Sequence, residues 1–265
     1  MTDRADQLTR VARGWDDAAD GYDEYFVPRF APWVDAAVRV ITADPIPDGP
    51  ILVPCCGPFP ELDLLVAHFP DRDIVGNDLS AGMVARARMR PAAQRSSVRV
   101  VQGDASTLDP QWSRRCAAVL SVFGLQQLPE PDLAIQSWVA ALRPSGRLSV
   151  VFWPDLTELD GPFARMGAVV DPHVPPGDSS WEHRLVPAIT ALGAMLERDE
   201  QLGYPITHPS ASAYFEAFTR SGPGRALATA RGEAFVDQLR VEFLRGAPDG
   251  EWTHRPGARL IVARR

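Results

Sequence analysis

The sequence predicts an α/β fold built on a doubly wound, mostly parallel sheet. Short apolar runs recur at residues 51–53, 74–76, 98–101, 116–122 and 148–153, with helical segments between them. That is the rhythm of parallel strands joined by crossover helices. Gly57, Asp78, Asp104 and Ser121 all fall just past one of these runs. Ligands of such sheets bind beyond the carboxyl ends of the strands, so the agreement of four positions carries more than any one.

The 265 residues suit one α/β domain with an appendage, or two small domains, and can bury a substantial core; the strand rhythm favours a single domain. A net charge of −7 argues against a general nucleic-acid surface. No run approaches the roughly 18 apolar residues of a membrane span. The opening MTDRADQLTR is polar and lacks the apolar centre of a secretory leader. Of the 3 cysteines, Cys55 and Cys56 are adjacent, which speaks against a disulfide framework. These features predict a cytoplasmic protein. No Cys/His spacing resembles a zinc site and no Asp/Asn cluster a magnesium site, so no metal is expected.

In chain order, residues 6–43 read as two helices with an aromatic, acidic stretch between them, together an N-terminal helical cap over residues 1–45. Trp15, Tyr22, Tyr25, Phe26 and Arg29 are its candidates for lining a pocket; simple packing on the domain is the competing role for each. Ile51-Leu52-Val53 is a short buried strand punctuated by Pro and Gly. Pro60 suits the first turn of the next helix, and Glu61 sits beside its positive end. Ile74-Val75-Gly76 is the second strand, with Asp78 at its end. Strand, glycine turn, helix, strand and acid in that order make half of a nucleotide-binding crossover. On this stretch alone, a plain buried crossover in which Asp78 only caps the next helix stands equally well.

Ser80 caps a helix that carries Met83 and Val84. The third strand ends at Gly103-Asp104-Ala105. The fourth runs from Cys116 to Val122 and is followed by Phe123-Gly124-Leu125-Gln126-Gln127. A helix over 131–142 and a turn at Arg143-Pro144-Ser145-Gly146 lead into the fifth strand, which ends at Trp153. Residues 155–198 break the rhythm and predict a mainly helical insertion folded over the strand tips as a lid. A sixth strand is expected at 201–206, helices at 210–221 and 232–245, and an antiparallel last strand at 258–263.

These stretches resemble the class I S-adenosylmethionine-dependent methyltransferases, most closely the ubiquinone/menaquinone-type, small-molecule branch. ILVPCCGPFPEL, IVGNDLSAGMVARAR, VVQGDASTL and the strand, helix, LRPSG turn and strand from 117 to 153 carry the resemblance. WDDAADGYDEYF and the closing ARLIVARR extend it to both ends of the chain. It implies a Rossmann-like methyltransferase fold, S-adenosylmethionine as cofactor and a small-molecule acceptor, in keeping with natural-product chemistry. By position, Asp78 would accept from the ribose hydroxyls and Leu79 would pack on adenine, with Met83 beside it. Asp104 would take the adenine amino group, with Ala105 supplying a backbone N–H. Cys55, Gly57 and Ser121 would border the methionine portion. The glycine turn departs from the family pattern: Val53 stands where an acid is usual, and Cys55 and Phe59 replace glycines. Glu61 is a candidate stand-in for the missing acid.

Methyl transfer is an in-line displacement that alignment alone can accelerate strongly, so a general base is optional. His173 and His183 in the expected lid are the base candidates. The acceptor pocket is expected to collect Tyr22, Phe26, Arg29, Phe123, Gln126, Trp153 and Trp181. A non-methylating reaction on the same fold, such as a cyclisation or rearrangement, and a scaffold without activity are the alternatives.

Overall fold

The computed structural model describes residues 4–175 and 177–265. Its centre is a seven-stranded sheet. The strands are β1 (Ile51–Pro54), β2 (Ile74–Asp78), β3 (Val98–Gln102), β4 (Cys116–Val122), β5 (Leu142–Phe152), β6 (Met195–Gly203) and β9 (Gly257–Arg264). Their spatial order is β3-β2-β1-β4-β5-β9-β6. β1 lies parallel to both β2 and β4, with Ile51 opposite Ile74 on one side and Ala118 on the other. The order therefore reverses between β1 and β4, and a switch point of this kind opens a crevice at the strands' carboxyl ends. β9 runs antiparallel to β5 and β6, as expected for the last strand. A short antiparallel pair, β7 (Ile206–His208) and β8 (Trp252–His254), forms a separate two-stranded sheet.

Period-two alternation divides the core. Ile51 and Val53 face one layer and Leu52 the other. The first layer holds α1 (Arg4–Thr42), α2 (Leu62–His68), α3 (Ala81–Met89), α7 (Ala211–Thr219), α8 (Gly222–Arg231) and α9 (Glu233–Leu244). The second holds α4 (Pro131–Ala141) and α6 (Trp181–Ala191). α5 (Pro162–Val170) lies against α9.

The N-terminal region is one 39-residue helix rather than two. A stripe of Tyr22, Phe26, Phe30, Trp33, Ala37 and Ile41 recurs at spacings of three and four and holds α1 on the sheet. Pro28 and Pro32 lie one turn apart, and Pro28 is exposed, so the carbonyl it strands at Glu24 meets solvent. Polar pegs lock the far half: Trp33 Nε1 donates to the Leu202 carbonyl at 2.9 Å, and Ser149 Oγ to that of Ala37 at 3.0 Å.

The 155–198 insertion does not fold as one unit. α5 joins the C-terminal helices, whereas α6 packs beside α4 on the opposite face, burying Leu185 and Ile189 with Trp138 and Val139. Residues 195–198 already belong to β6. The strand expected at 201–206 is split between β6 and β7, with Tyr204-Pro205 between them, where proline offers no ladder N–H. The Arg143-Pro144-Ser145-Gly146 turn survives as a bulge inside β5: Cys116 pairs with Leu142, but Ala118 pairs with Arg147.

Local spacing does not predict α8. Its Gly-Pro-Gly opening reads as a turn, yet proline is favoured in a first helical turn. The two glycines are required by contact. A Cβ on Gly222 would lie 2.4 Å from the Trp15 ring, and one on Gly224 2.0 Å from the Phe218 carbonyl oxygen.

Candidate active site

The site forms where β1 runs into the Cys55-Cys56-Gly57 turn. Cys55, Gly57 and Phe59 all take left-handed backbone angles, at φ 55°, 52° and 61°. The Cys56 amide donates to the Asn77 carbonyl at 3.1 Å, tying the turn to β2. Phe59 is fully buried against Gly76, where a Cβ would stand 2.7 Å from the phenyl ring. The family's usual glycine is thus replaced by a ring that fills the space beside a different glycine.

Asp78, at the end of β2, takes the Gly57 amide on Oδ2 at 2.8 Å and the Ser80 amide on Oδ1 at 2.9 Å. Burial raises its carboxyl, and the two amides oppose that shift. Each oxygen keeps lone-pair capacity for a further donor. Ser80 caps α3 by accepting from the Met83 amide at 3.1 Å. Asp16 of α1 reaches the same terminus, accepting from Ser80 Oγ at 2.6 Å and the Gly82 amide at 2.9 Å. Further along, Asp23 pairs with Arg86 at 2.9 Å and Arg90 at 3.3 Å. These contacts hold α1 along α3.

Between α1 and the strand ends lies a cleft of about 750 Å³, its open mouth included. Leu8, Val11, Ala12, Trp15 and Tyr22 of α1 form the roof, while Cys55, Gly57, Asp78, Ala105 and Gly124 lie along the strand ends. Leu79, Met83, Phe123 and Gln127 complete the sides. Among the described residues lining the cleft there is no Lys, Arg or His, and Asp78 is the one carboxylate. Burial lifts the Cys55 and Cys56 thiols well above their ordinary range, so both stay protonated. Burial also raises the Tyr22 phenol, with Glu61 and Asp78 adding to it.

Glu61 sits just behind this wall at 2% exposure, and its Oε2 has no hydrogen-bond partner. Burial pushes its carboxyl up to about 7. Gly124 is a residue that sequence reasoning passes over. A Cβ there would meet Cys55 Cβ at 2.2 Å, so the turns after β1 and β4 touch only because position 124 has no side chain. The roof residues had a signal in the helical spacing of Leu8, Val11, Ala12 and Trp15.

Of the residues singled out from sequence, the cleft gathers Trp15, Tyr22, Cys55, Gly57, Asp78, Leu79, Met83, Ala105 and Phe123. The others lie elsewhere. Asp104 turns back to accept from the amide and hydroxyl of Ser106 at 2.8 and 2.6 Å. Ser121, fully buried, donates to the Pro54 carbonyl at 2.9 Å and braces β4 on β1. Trp153 is stacked behind Phe123, ring centroids 4.2 Å apart, and Phe26 belongs to the core. Gln126 bonds back to the Phe123 carbonyl at 2.8 Å. Arg29 donates to the Thr207 carbonyl at 3.1 Å and lies over the Tyr25 ring.

His173 and His183 do not approach the cleft. His173 packs edge-on against Phe235 of α9, and His183 borders an open polar groove with Glu182, Asp199 and Arg259. Trp181 packs on Phe152 in the second core layer. The cause is the division of the insertion between the two faces of the sheet, which carries both histidines and the tryptophan away from the cleft.

A doubly wound sheet with a carboxylate at the β2 end and a glycine turn at the switch point is the arrangement of a Rossmann-like nucleotide-binding fold. Residues 51–146 match the family model of a methyltransferase domain. Trans-aconitate 2-methyltransferase of Methylobacterium nodulans is 32% identical over 144 residues, 54% of this chain and 52% of that protein. The ubiquinone/menaquinone biosynthesis C-methyltransferase UbiE of Syntrophotalea carbinolica is 28% identical over 87 residues, 33% of this chain and 36% of that protein. The matches therefore span about half or less of these relatives' lengths. Among solved structures, the [4+2]-cyclase SpnF shares the fold, with a TM-score of 0.53 at 19% identity over 87% of this chain and 80% of that one. No helix of the described residues is long and apolar enough to cross a membrane.

Proposed function

We propose that the protein is an S-adenosylmethionine-dependent methyltransferase acting on a small-molecule acceptor, in keeping with a natural-product substrate. The observation that carries this reading is the charge of the cleft: one carboxylate at the β2 end and no basic residue. A pyrophosphate cofactor would find no cation there, whereas a nucleoside with ribose hydroxyls and a sulfonium charge meets an acceptor of the right sign. Asp78 would hold the ribose with the lone pairs its two amides leave unused. Leu79 and Met83 would pack on the base, with the Ala105 main chain beside it. The turn residues Cys55, Gly57 and Gly124 leave room for the amino-acid tail. When bound, the cofactor supplies the methyl group.

The chain's own share of the chemistry is alignment and exclusion of water. The apolar roof from Leu8 to Tyr22 covers the reacting space, and well-oriented reactants can gain about 7–11 kcal/mol over free encounter. With no histidine on the cleft, rate is drawn from proximity rather than from a general base. A second reading keeps the cofactor intact while the protein catalyses a cyclisation or rearrangement; the basic-residue-free, tyrosine-roofed cleft favours it equally. Calorimetry with S-adenosylhomocysteine tests the cofactor. Release of S-adenosylhomocysteine from S-adenosylmethionine in the presence of candidate acceptors then separates the two readings. Absence of binding by either nucleoside overturns both.

A further inference from the structure

Outside the cleft, four titratable side chains, from α1, β7, β8 and the loop before α5, form one unbroken hydrogen-bonded chain. Tyr25 of α1 meets His208 Nδ1 at 2.9 Å, and His208 Nε2 meets His254 Nε2 at 3.1 Å. His254 Nδ1 meets Glu158 Oε2 at 2.6 Å. His208 and His254 are 1% and 8% exposed. The other oxygen of Glu158, Oε1, accepts from the Phe163 and Ala164 amides at 2.7 and 3.3 Å and so caps α5. Phe163 packs edge-on against Trp153, which stacks on Phe123 at the cleft wall. One carboxylate thus braces the wall through α5 and the roof helix through the histidine pair.

Counting donors and acceptors fixes the direction of the chain. A carboxylate can only accept, so His254 carries its proton on Nδ1 and its Nε2 is bare. His208 must then donate from Nε2, which leaves its Nδ1 to accept from the Tyr25 hydroxyl. We propose that Glu158 is a positioning residue for the cleft's roof and wall, and that the histidine pair behind it is a one-proton relay whose direction reports the charge at Glu158 and the acidity of the solvent. A proton taken up at the hydroxyl of half-buried Tyr25 sends the tyrosine's own proton to His208 Nδ1. The His208 Nε2 proton passes to His254 Nε2, and the charge rests on His254 beside the Glu158 carboxylate. Every bond of the chain is kept: His254 Nδ1 still donates to Glu158, the two bonds from His254 to Tyr25 are reversed, and the Tyr25 O–H turns outward.

The surroundings favour that resting place. Arg29 of α1 lies 3.8 Å over the Tyr25 ring and opposes charge on His208. Arg220, following α7, also faces Tyr25. Tyr214 of α7 has its ring 4.8 Å from that of His208, and Phe163 contributes only an apolar ring to His254 at 4.9 Å. Glu158, which also faces Tyr214, is the anion of the group.

Nitrogen NMR of the ¹⁵N-histidine-labelled full chain tests the relay, with His208→Gln and His254→Gln assigning the signals. At pH 8 the wild type is expected to show His254 protonated on Nδ1 and His208 on Nε2. Glu158→Gln keeps a carbonyl oxygen for the α5 cap but presents an N–H to His254, so at pH 8 both histidines should exchange tautomers. Acidification of the wild type to pH 5 should produce the same His208 tautomer. Hydrogen exchange of α1 amides around Tyr25, corrected for intrinsic rates, should shift alike in the variant at pH 8 and the wild type at pH 5. Nε2 protonation of wild-type His254 at pH 8 overturns the proposal, as does unchanged His208 on acidification. The wild-type titration decides the matter even if the variant fails to fold, and neither arm depends on cofactor binding.

Discussion

The Gly57 amide and the Asp78 carboxylate meet at 2.8 Å, joining the turn after β1 to the end of β2. This single bond sets the spacing of the two residues on which the cofactor reading turns. It also means that Asp78 holds the loop as well as a ligand.

Replacing Asp78 with Ala is therefore expected to act twice. Binding of S-adenosylhomocysteine should weaken at least roughly tenfold, since hydrogen bonds to a charged group contribute about 1.5–3 kcal/mol. The melting temperature should fall as well, because the Gly57 and Ser80 amides lose their acceptor. Calorimetry and thermal denaturation of the same variant measure both, and unchanged affinity would remove Asp78 from the site.

Gly124→Ala places a Cβ 2.2 Å from that of Cys55. Overpacking of this kind costs about 1–3 kcal/mol and should pinch the cleft. Cys55→Gly removes the opposing atom and suits the left-handed backbone there, so the double variant should recover both stability and nucleoside binding. A double-mutant cycle on denaturation midpoints checks it; additive losses would mean that the two turns do not touch.

Glu61 makes stability depend on pH in the alkaline sense. Its folded carboxyl is raised to about 7, above its ordinary 4.5, so the stabilisation of its neutral form is complete below about 4.5 and lost as pH rises through 7. Glu61→Gln should flatten the fall in melting temperature between pH 5 and 8, and above pH 7 it should be the more stable protein. An identical pH profile for variant and wild type would contradict this.

His208 acts in the opposite direction. Burial, with His254 and Arg29, holds it down at about 3 against an ordinary 6.5. The unfolded chain gains a proton that the folded one refuses, so stability is lost as pH falls from about 6.5 toward 3. His208→Gln should show a shallower acid decline in melting temperature over that range. A decline as steep as the wild type's would assign it to other groups.

The strand rhythm, the glycine turn and the acid at the end of β2 are legible because each is a local pattern. A buried parallel strand is a short apolar run, and a strand end is where that run stops. The antiparallel last strand is legible for the same reason. α8 is not, since Gly222 is explained by Trp15 of α1 and Gly224 by its fit against the Phe218 carbonyl at the end of the preceding helix. Nor is the unity of α1, where Pro28 and Pro32 read as breaks until the aromatic stripe is seen lying against the sheet.

The candidate site divides along the same line. Asp78 and Gly57 stand where their strands end, and strand ends are read from sequence. Whether a side chain after β5 faces the cleft depends on which side of the sheet the chain crosses, and the spacing of His173, His183 and Trp181 holds no trace of that. Sequence alone determined the sheet, the crevice and the acid beside it, because hydrophobic periodicity and turn chemistry act over a few residues. Tertiary structure alone decided what the apolar face of α1 covers, the Gly124–Cys55 contact and the chain from Tyr25 to Glu158, because those contacts join residues scores of positions apart.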